Sequence, residues 1–299
     1  YQLYKSGEYF IEDEIKGTIN QLEGRFSFIN QLEWYNNKLN LEGKKLTYEY
    51  LNGRERAYSQ FIFYKYFFAN PKPLIVTEGK TDAAYLKAAL KNLWKEYPNL
   101  VSRNSKGQFE YKVSFLQRSK RLAYFLNLKK DGADTMNNIY KFFSEEGGEK
   151  YPNYIEMFKN LGSTVPLNSV ILLFDNELNN KNKPVYKFVS NKISDDRKKQ
   201  LCTRTWINLL ENLYLMITPL VGESEECDIE MLFDEATLSH EIGGKKFCKK
   251  DTFDTSKFYG KEIFSQYIMK NYSSIDFGGF KPLLNNINMV IKDYKERIQ

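Results

Sequence analysis

Two stretches, Leu74-Ile-Val-Thr-Glu-Gly-Lys-Thr-Asp82 and Val170-Ile-Leu-Leu-Phe-Asp-Asn-Glu177, decide the fold of this chain. Each begins with an apolar run that favours a buried strand, and each ends on acidic side chains. Strands that are buried on both faces belong to sheets covered by helices, so the pair predicts an α/β fold with a mostly parallel sheet. Carboxylates at one sheet edge are the ligands with which proteins hold Mg²⁺ against phosphates.

The segment after Glu78 is predicted to turn directly into a helix. Gly79 follows the acid, and Thr81 is a candidate cap for a helix from Asp82 to Trp94, where apolar residues recur at helical spacing. Glu78 then lies at the carboxyl end of a strand, where open α/β sheets build their sites. Asp82 lies one turn further on, close enough to share an ion. The plain alternative is a solvated strand end and a carboxylate beside a helix dipole.

This order of strand, Glu-Gly-x-x-Asp, helix and a later strand ending in Asp-x-acid resembles the TOPRIM domain. TOPRIM is the metal-dependent catalytic fold of topoisomerases, bacterial primases and several nucleases. The resemblance implies that Glu78, Asp175 and Glu177 are the catalytic acids and that, with Asp82, they hold one or two Mg²⁺ or Mn²⁺ ions. Glu177 departs from the family pattern, which has an aspartate one methylene shorter at this place.

A third acidic cluster, within residues 222–233, follows another predicted strand over 212–218. In nuclease-type TOPRIM proteins, a segment similar to Asp228-Ile-Glu230 supplies further metal ligands at the start of a helix. Acids in the first turn of a helix also stabilise it by roughly 0.3–1 kcal/mol without any metal. Both roles therefore stay open for Asp228 and Glu230.

Residues 14–30 and 54–68 carry a second resemblance, to the thumb of retron-type reverse transcriptases and to the helix that leads from it into a fused TOPRIM domain. We therefore expect a small helical thumb-like segment over 1–69 and a TOPRIM-like nuclease domain over 70–299. The prolines of Asn70-Pro-Lys-Pro73 mark the boundary. The chain has no Tyr-x-Asp-Asp polymerase motif, so polymerisation is expected from another domain of the same protein.

The two resemblances together imply an endonuclease that is the toxic effector of a retron anti-phage defence system. Its implied partners are the retron non-coding RNA, the multicopy single-stranded DNA and the polymerase domain. RNA is favoured over DNA as the substrate, and a homo-oligomer is left open. A binding module whose acids are structural, and a primase or topoisomerase-like transferase, are the alternatives.

Basic residues agree with a nucleic-acid partner without requiring one. The formal net charge is +6, a moderate basic bias. Two groups could contact phosphates, one in the thumb-like segment and one around the acids. For the loop residues Arg118, Lys120 and Arg121 of the second group, an exposed basic loop is the commoner explanation. The candidates are Lys16, Arg25, Arg54, Arg56, Lys80, Arg118, Lys120, Arg121, Lys181 and Lys183.

Several residue types limit the other classes of function. His240 is the single histidine, and nothing near it marks a nucleophilic triad. A Gly-x-x-x-x-Gly-Lys phosphate loop is missing, which argues against an ATPase. The three cysteines show neither a zinc spacing nor a disulfide frame, and no apolar run reaches the roughly 20 residues that span a bilayer. We expect a cytoplasmic protein with no membrane partner.

Overall fold

The computed structural model describes residues 51–128, 134–162, 164–250 and 252–299. Lys16, Arg25 and the helix predicted over 14–30 lie outside these residues. The helices are α1 (Gly53–Phe63), α2 (Lys80–Asn92), α3 (Lys120–Leu126), α4 (Asp134–Phe143), α5 (Tyr154–Gly162), α6 (Pro184–Lys192), α7 (Asp195–Arg204), α8 (Glu235–Leu238), α9 (Lys261–Lys270) and α10 (Lys281–Ile298). The strands are β1 (Leu74–Thr77), β2 (Val101–Arg103), β3 (Phe109–Tyr111), β4 (Ser114–Phe115), β5 (Val170–Phe174), β6 (Trp206–Leu210), β7 (Leu213–Ile217), β8 (Lys246–Phe247) and β9 (Phe258–Tyr259).

The centre of the fold is a five-stranded sheet in the order β4-β1-β5-β7-β6. β1 pairs in parallel with β4 and with β5, and β5 pairs in parallel with β7. β6 runs antiparallel to β7 and forms one edge of the sheet. The predicted α/β fold with a mostly parallel sheet is therefore confirmed, and the carboxyl ends of four strands meet at one edge.

Alternate residues of the central strands enter two different helical layers. Val170, Leu172 and Phe174 of β5 pack with residues from α1 and α3 to α7. Ile171 and Leu173 pack on the other face with α2, α9 and α10. The strand is apolar along its whole length because neither of its faces meets water.

Helix α1 packs in the same apolar cluster as the sheet. It continues into a π-helical turn over Tyr64–Phe68, where Phe67 is fully buried, as is Phe63 just before it. Ser59 Oγ donates a hydrogen bond to the carbonyl oxygen of Phe125 in α3, at 2.8 Å. The helix predicted over 54–68 is thus confirmed, while the domain division at residue 69 stays a prediction.

The structure corrects one local prediction and adds strands that the sequence did not predict. Helix α2 begins at Lys80 with Gly79 as its N-cap, so Thr81 is not the cap. The antiparallel edge strand β6 was not anticipated; Glu211, at a φ of 45°, makes the turn into β7. Among the described residues, no helix has both the length and the apolar character needed to cross a membrane.

Candidate functional site

Glu78 and Asp175 follow two neighbouring parallel strands. Thr77, the last residue of β1, lies opposite Leu173 near the end of β5, so both acids emerge at the same edge of the sheet. Asp82 joins them from the first turn of α2. Glu78, Asp82 and Asp175, which we call the inner acids, therefore come from three elements that the sheet brings together.

Burial and mutual repulsion raise the proton affinity of the inner acids. The pKa of Glu78 rises from 4.5 to about 7, through burial first and then through the charges of Asp82 and Glu177. Burial, followed by the charges of Asp82 and Glu78, raises the pKa of Asp175 well above its ordinary value. Burial also raises the pKa of Asp82. A cation placed among these carboxylates would relieve the repulsion and keep them ionised.

The turn between β1 and α2 holds Asp82 close to the backbone. The N–H of Gly79 donates to Asp82 Oδ2 at 2.8 Å, and Thr77 Oγ1 donates to the carbonyl oxygen of Gly79 at 2.7 Å. A Cβ atom on residue 79 would lie only 3.1 Å from Asp82 Oδ1. The glycine after Glu78 therefore leaves room for the second carboxylate.

A small backbone bridge ties the segment after β7 to the end of β5. The N–H of Asn176 donates to Cys227 O at 2.8 Å, and the N–H of Cys227 donates to Asn176 O at 2.9 Å. The N–H of Ile229 then donates to Asp175 Oδ1 at 3.1 Å. These bonds set Asp228 and Glu230 beside Asp175, whose pKa both of them raise.

Each of the remaining predicted acids is held by a lysine from another element or loop. Lys183 Nζ lies 2.5 Å from Glu177 Oε1. Lys249 Nζ contacts both carboxylate oxygens of Asp228, at 2.9 and 3.1 Å, and Lys261 Nζ contacts both of Glu230, at 3.0 and 3.1 Å. Sequence reasoning missed the last two lysines. The lysine-paired acids are therefore Glu177, Asp228 and Glu230.

Glu230 is the most enclosed of these carboxylates. Its side chain has no exposed surface, and burial raises its pKa. Lys261 is partly exposed; burial opposes its charge, but Glu230, Asp175 and Asp228 outweigh that effect and raise its pKa. A buried charge needs such a partner, because an unpaired one is costly.

The donor chemistry suits Mg²⁺ or Mn²⁺, although the side chains are not arranged as a finished metal site. Carboxylate oxygens are the ligands that these ions take in proteins. In the part of the chain that the structure describes, no group of three or more His, Cys, Asp or Glu side chains is placed to hold a metal. The inner acids are in no lysine ion pair there, whereas the lysine-paired acids would have to exchange an ammonium for a metal.

The predicted basic residues fall into different environments. Arg118, which follows β4, donates to the carbonyl oxygens of Glu78, at 2.8 Å, and of Thr77, so it supports the end of β1. Lys80 pairs with Glu262 at the surface. The other described candidates are exposed or partly exposed side chains: Arg54, Arg56, Lys120, Arg121, Lys181 and Lys183.

No family model matches this chain, and no solved structure matches it. A function for the chain therefore rests on its residues and on their geometry.

Proposed function

We propose that the chain is a TOPRIM-like, metal-dependent endonuclease that hydrolyses phosphodiester bonds, with RNA favoured over DNA. The observation that carries this proposal is the convergence of Glu78, Asp82 and Asp175 at the carboxyl edge of the sheet. Burial raises the proton affinity of all three carboxylates, and repulsion adds to it at Glu78 and Asp175, so these acids destabilise the fold when they are ionised, whereas they suit a divalent cation. Perturbed acids at the carboxyl edge of an α/β sheet are also typical of an active site.

The proposed chemistry divides between the ion and the protein. When bound, one or two Mg²⁺ or Mn²⁺ ions would neutralise the phosphate and make water a better nucleophile. Glu78, Asp82 and Asp175 would hold the ion, and Glu177 would join them after release from Lys183. The released ammonium of Lys183 would then lie beside the negative charge of the phosphate.

The proposed biological setting is retron defence against phage. It rests on the resemblance of residues 14–30 and 54–68 to a reverse-transcriptase thumb. In this setting the chain is a toxic nuclease of the cytoplasm, joined to a polymerase domain, and binds the retron non-coding RNA and multicopy DNA. The DNA would hold the nuclease inactive until infection.

A non-catalytic binding module is the second candidate, and the lysine-paired acids favour it. Glu177, Asp228 and Glu230 each have an ammonium partner, as structural carboxylates do. In such a module the acids would stabilise the fold, and the domain would organise the reverse transcriptase and its DNA. The two candidates differ in one measurable property, which is binding of a divalent metal at neutral pH.

The test is a cleavage assay with a matched pair of variants. The purified protein is incubated with labelled tRNA, messenger RNA, single-stranded DNA and double-stranded DNA, in Mg²⁺, Mn²⁺ or EDTA. The Glu78→Gln variant removes an inner acid, and Glu262→Gln removes an exposed acid on α9 that pairs with Lys80. Thermal melting verifies that both variants fold, and calorimetry measures metal binding.

We expect metal-dependent cleavage by the wild type and by Glu262→Gln, and none by Glu78→Gln. Cleavage that persists in folded Glu78→Gln would overturn the proposed site. Absence of both cleavage and metal binding in the wild type would favour the binding module. Metal binding without cleavage would call for the same assay after removal of the retron DNA.

A further inference from the structure

A cleft away from the inner acids and the lysine-paired acids runs along the edge strand β6 of the sheet. It has a volume of 380 Å³ and lies between α7, the outer edge of β6 and α10. Its lining includes Arg197, Arg204, Asn208, Asp293 and Arg297. Three arginines and one carboxylate thus face a single cleft, and the predicted nucleic-acid contacts include none of them.

Two of these arginines are fixed in position by hydrogen bonds. Arg197 donates from Nη2 to the carbonyl oxygen of Asn208 on β6. Arg297 donates from Nη1 to Asn208 Oδ1 at 3.0 Å, and its Nε lies 3.0 Å from Asp293 Oδ2. Tyr214 donates its hydroxyl to the same oxygen of Asp293, at 2.6 Å. The guanidinium groups are therefore pre-positioned, which lowers the entropic cost of binding an anion.

The charge in the cleft is left positive. Asp293 offsets Arg297, whereas the bonds of Arg197 go to uncharged backbone carbonyls. Arg204 is exposed on the last turn of α7, and no ion pair to it is found among the described residues. A guanidinium presents paired N–H donors that match the oxygens of a phosphate group.

The end of this cleft that contains Arg204 lies on the same sheet edge as the inner acids. The N–H of Ile217, at the end of β7, donates to the carbonyl oxygen of Thr205 at 2.9 Å, so Arg204 lies beside the carboxyl end of that strand. β6 is two strands from β5, which corresponds to roughly 10 Å at the usual strand spacing. A nucleic-acid strand that crosses the edge from Asp175 would reach Arg204 after a few nucleotides.

We propose that the arginine cleft, formed by Arg197, Arg204 and Arg297, binds the phosphate backbone of the single strand that is cut at the inner acids. The inference rests on the proposed nuclease function, since it assigns the same strand to both places. The cleft sets how tightly the strand is held and does not take part in the chemistry. It predicts metal-independent affinity for RNA, with a strong dependence on salt.

The experiment measures binding separately from cleavage. Fluorescence anisotropy follows fluorescein-labelled single-stranded RNA in EDTA, over a series of salt concentrations, for the wild type, Arg204→Ala and Lys199→Ala. Lys199 is exposed on the same helix but points away from the cleft lining, so its loss is a matched change of charge. Initial cleavage rates in Mg²⁺ are then compared among the same three proteins.

We expect Arg204→Ala to bind RNA about tenfold more weakly and to reduce the salt slope by about 0.7, the value for one phosphate contact of a single strand. Lys199→Ala should bind within about twofold of the wild type, as for a solvated surface charge. In cleavage, Arg204→Ala should raise KM and leave kcat unchanged.

Equal RNA affinity of Arg204→Ala and the wild type would overturn the proposed role of the cleft. An equal loss of RNA affinity in Lys199→Ala would overturn it as well. A selective loss of binding in Arg204→Ala, with no cleavage by any protein, would overturn the nuclease and leave the cleft as a nucleic-acid site. Failure of the cleft and failure of the nuclease are thus distinguishable.

Discussion

The inner acids and the lysine-paired acids lie side by side at one edge of the sheet, yet their charges are balanced differently. Glu78 and Asp175 repel each other and Asp82, and their pKa values rise. Asp228 and Glu230 each have both carboxylate oxygens in contact with a lysine. Among the described residues, a lysine forms a direct ion pair with each acid of the second group, whereas the inner acids feel cationic side chains only from a distance.

This difference indicates that the two groups of acids contribute oppositely to the stability of the fold. A lysine-paired carboxylate stabilises the positions of two elements, whereas a cluster of buried acids without such a partner lowers stability near neutral pH. Natural proteins place such local conflicts at functional sites. The inner acids are therefore the part of the site where a divalent cation has the most to contribute.

The largest difference is expected between Asp175→Asn and Asp228→Asn, which are the same chemical change on the two sides of the Asn176–Cys227 bridge. Asp175→Asn should lower the rate of metal-dependent cleavage by more than about a hundredfold, because it removes a proposed direct ligand of the metal. Asp228→Asn should lower the cleavage rate by less than about tenfold, because an asparagine side chain can still accept the hydrogen bond from the N–H of Met231. Single-turnover rates measure both, and equal losses would erase the distinction between the groups.

Removal of a lysine partner tests how much the lysine-paired acids contribute to the free energy of unfolding. Lys261→Met leaves Glu230 buried without its cation and should lower the free energy of unfolding by about 3–5 kcal/mol. Lys80→Met, which breaks the exposed pair with Glu262, should cost less than about 1 kcal/mol. Urea denaturation compares the two variants. Similar values would mean that the Glu230 pair is not needed, and Glu230→Gln added to Lys261→Met should restore much of the loss.

The pH dependence of stability tests the inner acids. The folded protein keeps the Glu78 proton up to a pKa of about 7, whereas the unfolded chain releases it near 4.5. The stability from this group is therefore complete below pH 4.5 and is lost as the pH rises through 7. Relative to Glu78→Gln, the wild type should lose up to about 3 kcal/mol of unfolding free energy over that range in EDTA. A difference that stays constant with pH would contradict the raised pKa.

The smallest effect on stability is expected for Lys183, the exposed lysine partner of Glu177. Lys183 is 42% exposed in its pair with Glu177, so Lys183→Ala should change the free energy of unfolding by less than about 1 kcal/mol. The same substitution frees Glu177 and should strengthen Mg²⁺ binding in calorimetry. Weaker Mg²⁺ binding would show that Lys183 supports the site instead of competing for it.

The arrangement of the inner acids was predictable from sequence, whereas the lysine partners were not. The runs ending at Glu78 and Asp175 predict buried parallel strands, and parallel strands deliver their ends to one edge. Lys249 and Lys261 reach Asp228 and Glu230 from 21 and 31 residues downstream. No local pattern encodes such a distant pair.

Two further residues show the limits of local inference. Arg118 stays a predicted nucleic-acid contact, but its hydrogen bonds to the end of β1, which follow from the pairing of β4 with β1, were not anticipated. Glu230 looks like a solvated first-turn acid in sequence, yet its side chain is fully enclosed. Both outcomes are decided by tertiary packing, which periodicity and propensity do not contain.

The Asn176–Cys227 bridge and the lysine pairs join residues that are translated at different times. The acid site draws on residues from Glu78 to Lys261, so 261 − 78 = 183 further residues are translated after the first acid has been added. At about 5–20 residues per second, that takes roughly 10–40 s. Throughout this time a nascent chain holds its early acids without the later half of their surroundings. In the proposed nuclease the inner acids are complete once Asp175 has been translated, but the Asn176–Cys227 bridge and the lysine pairs that surround them form only after the later residues have been added.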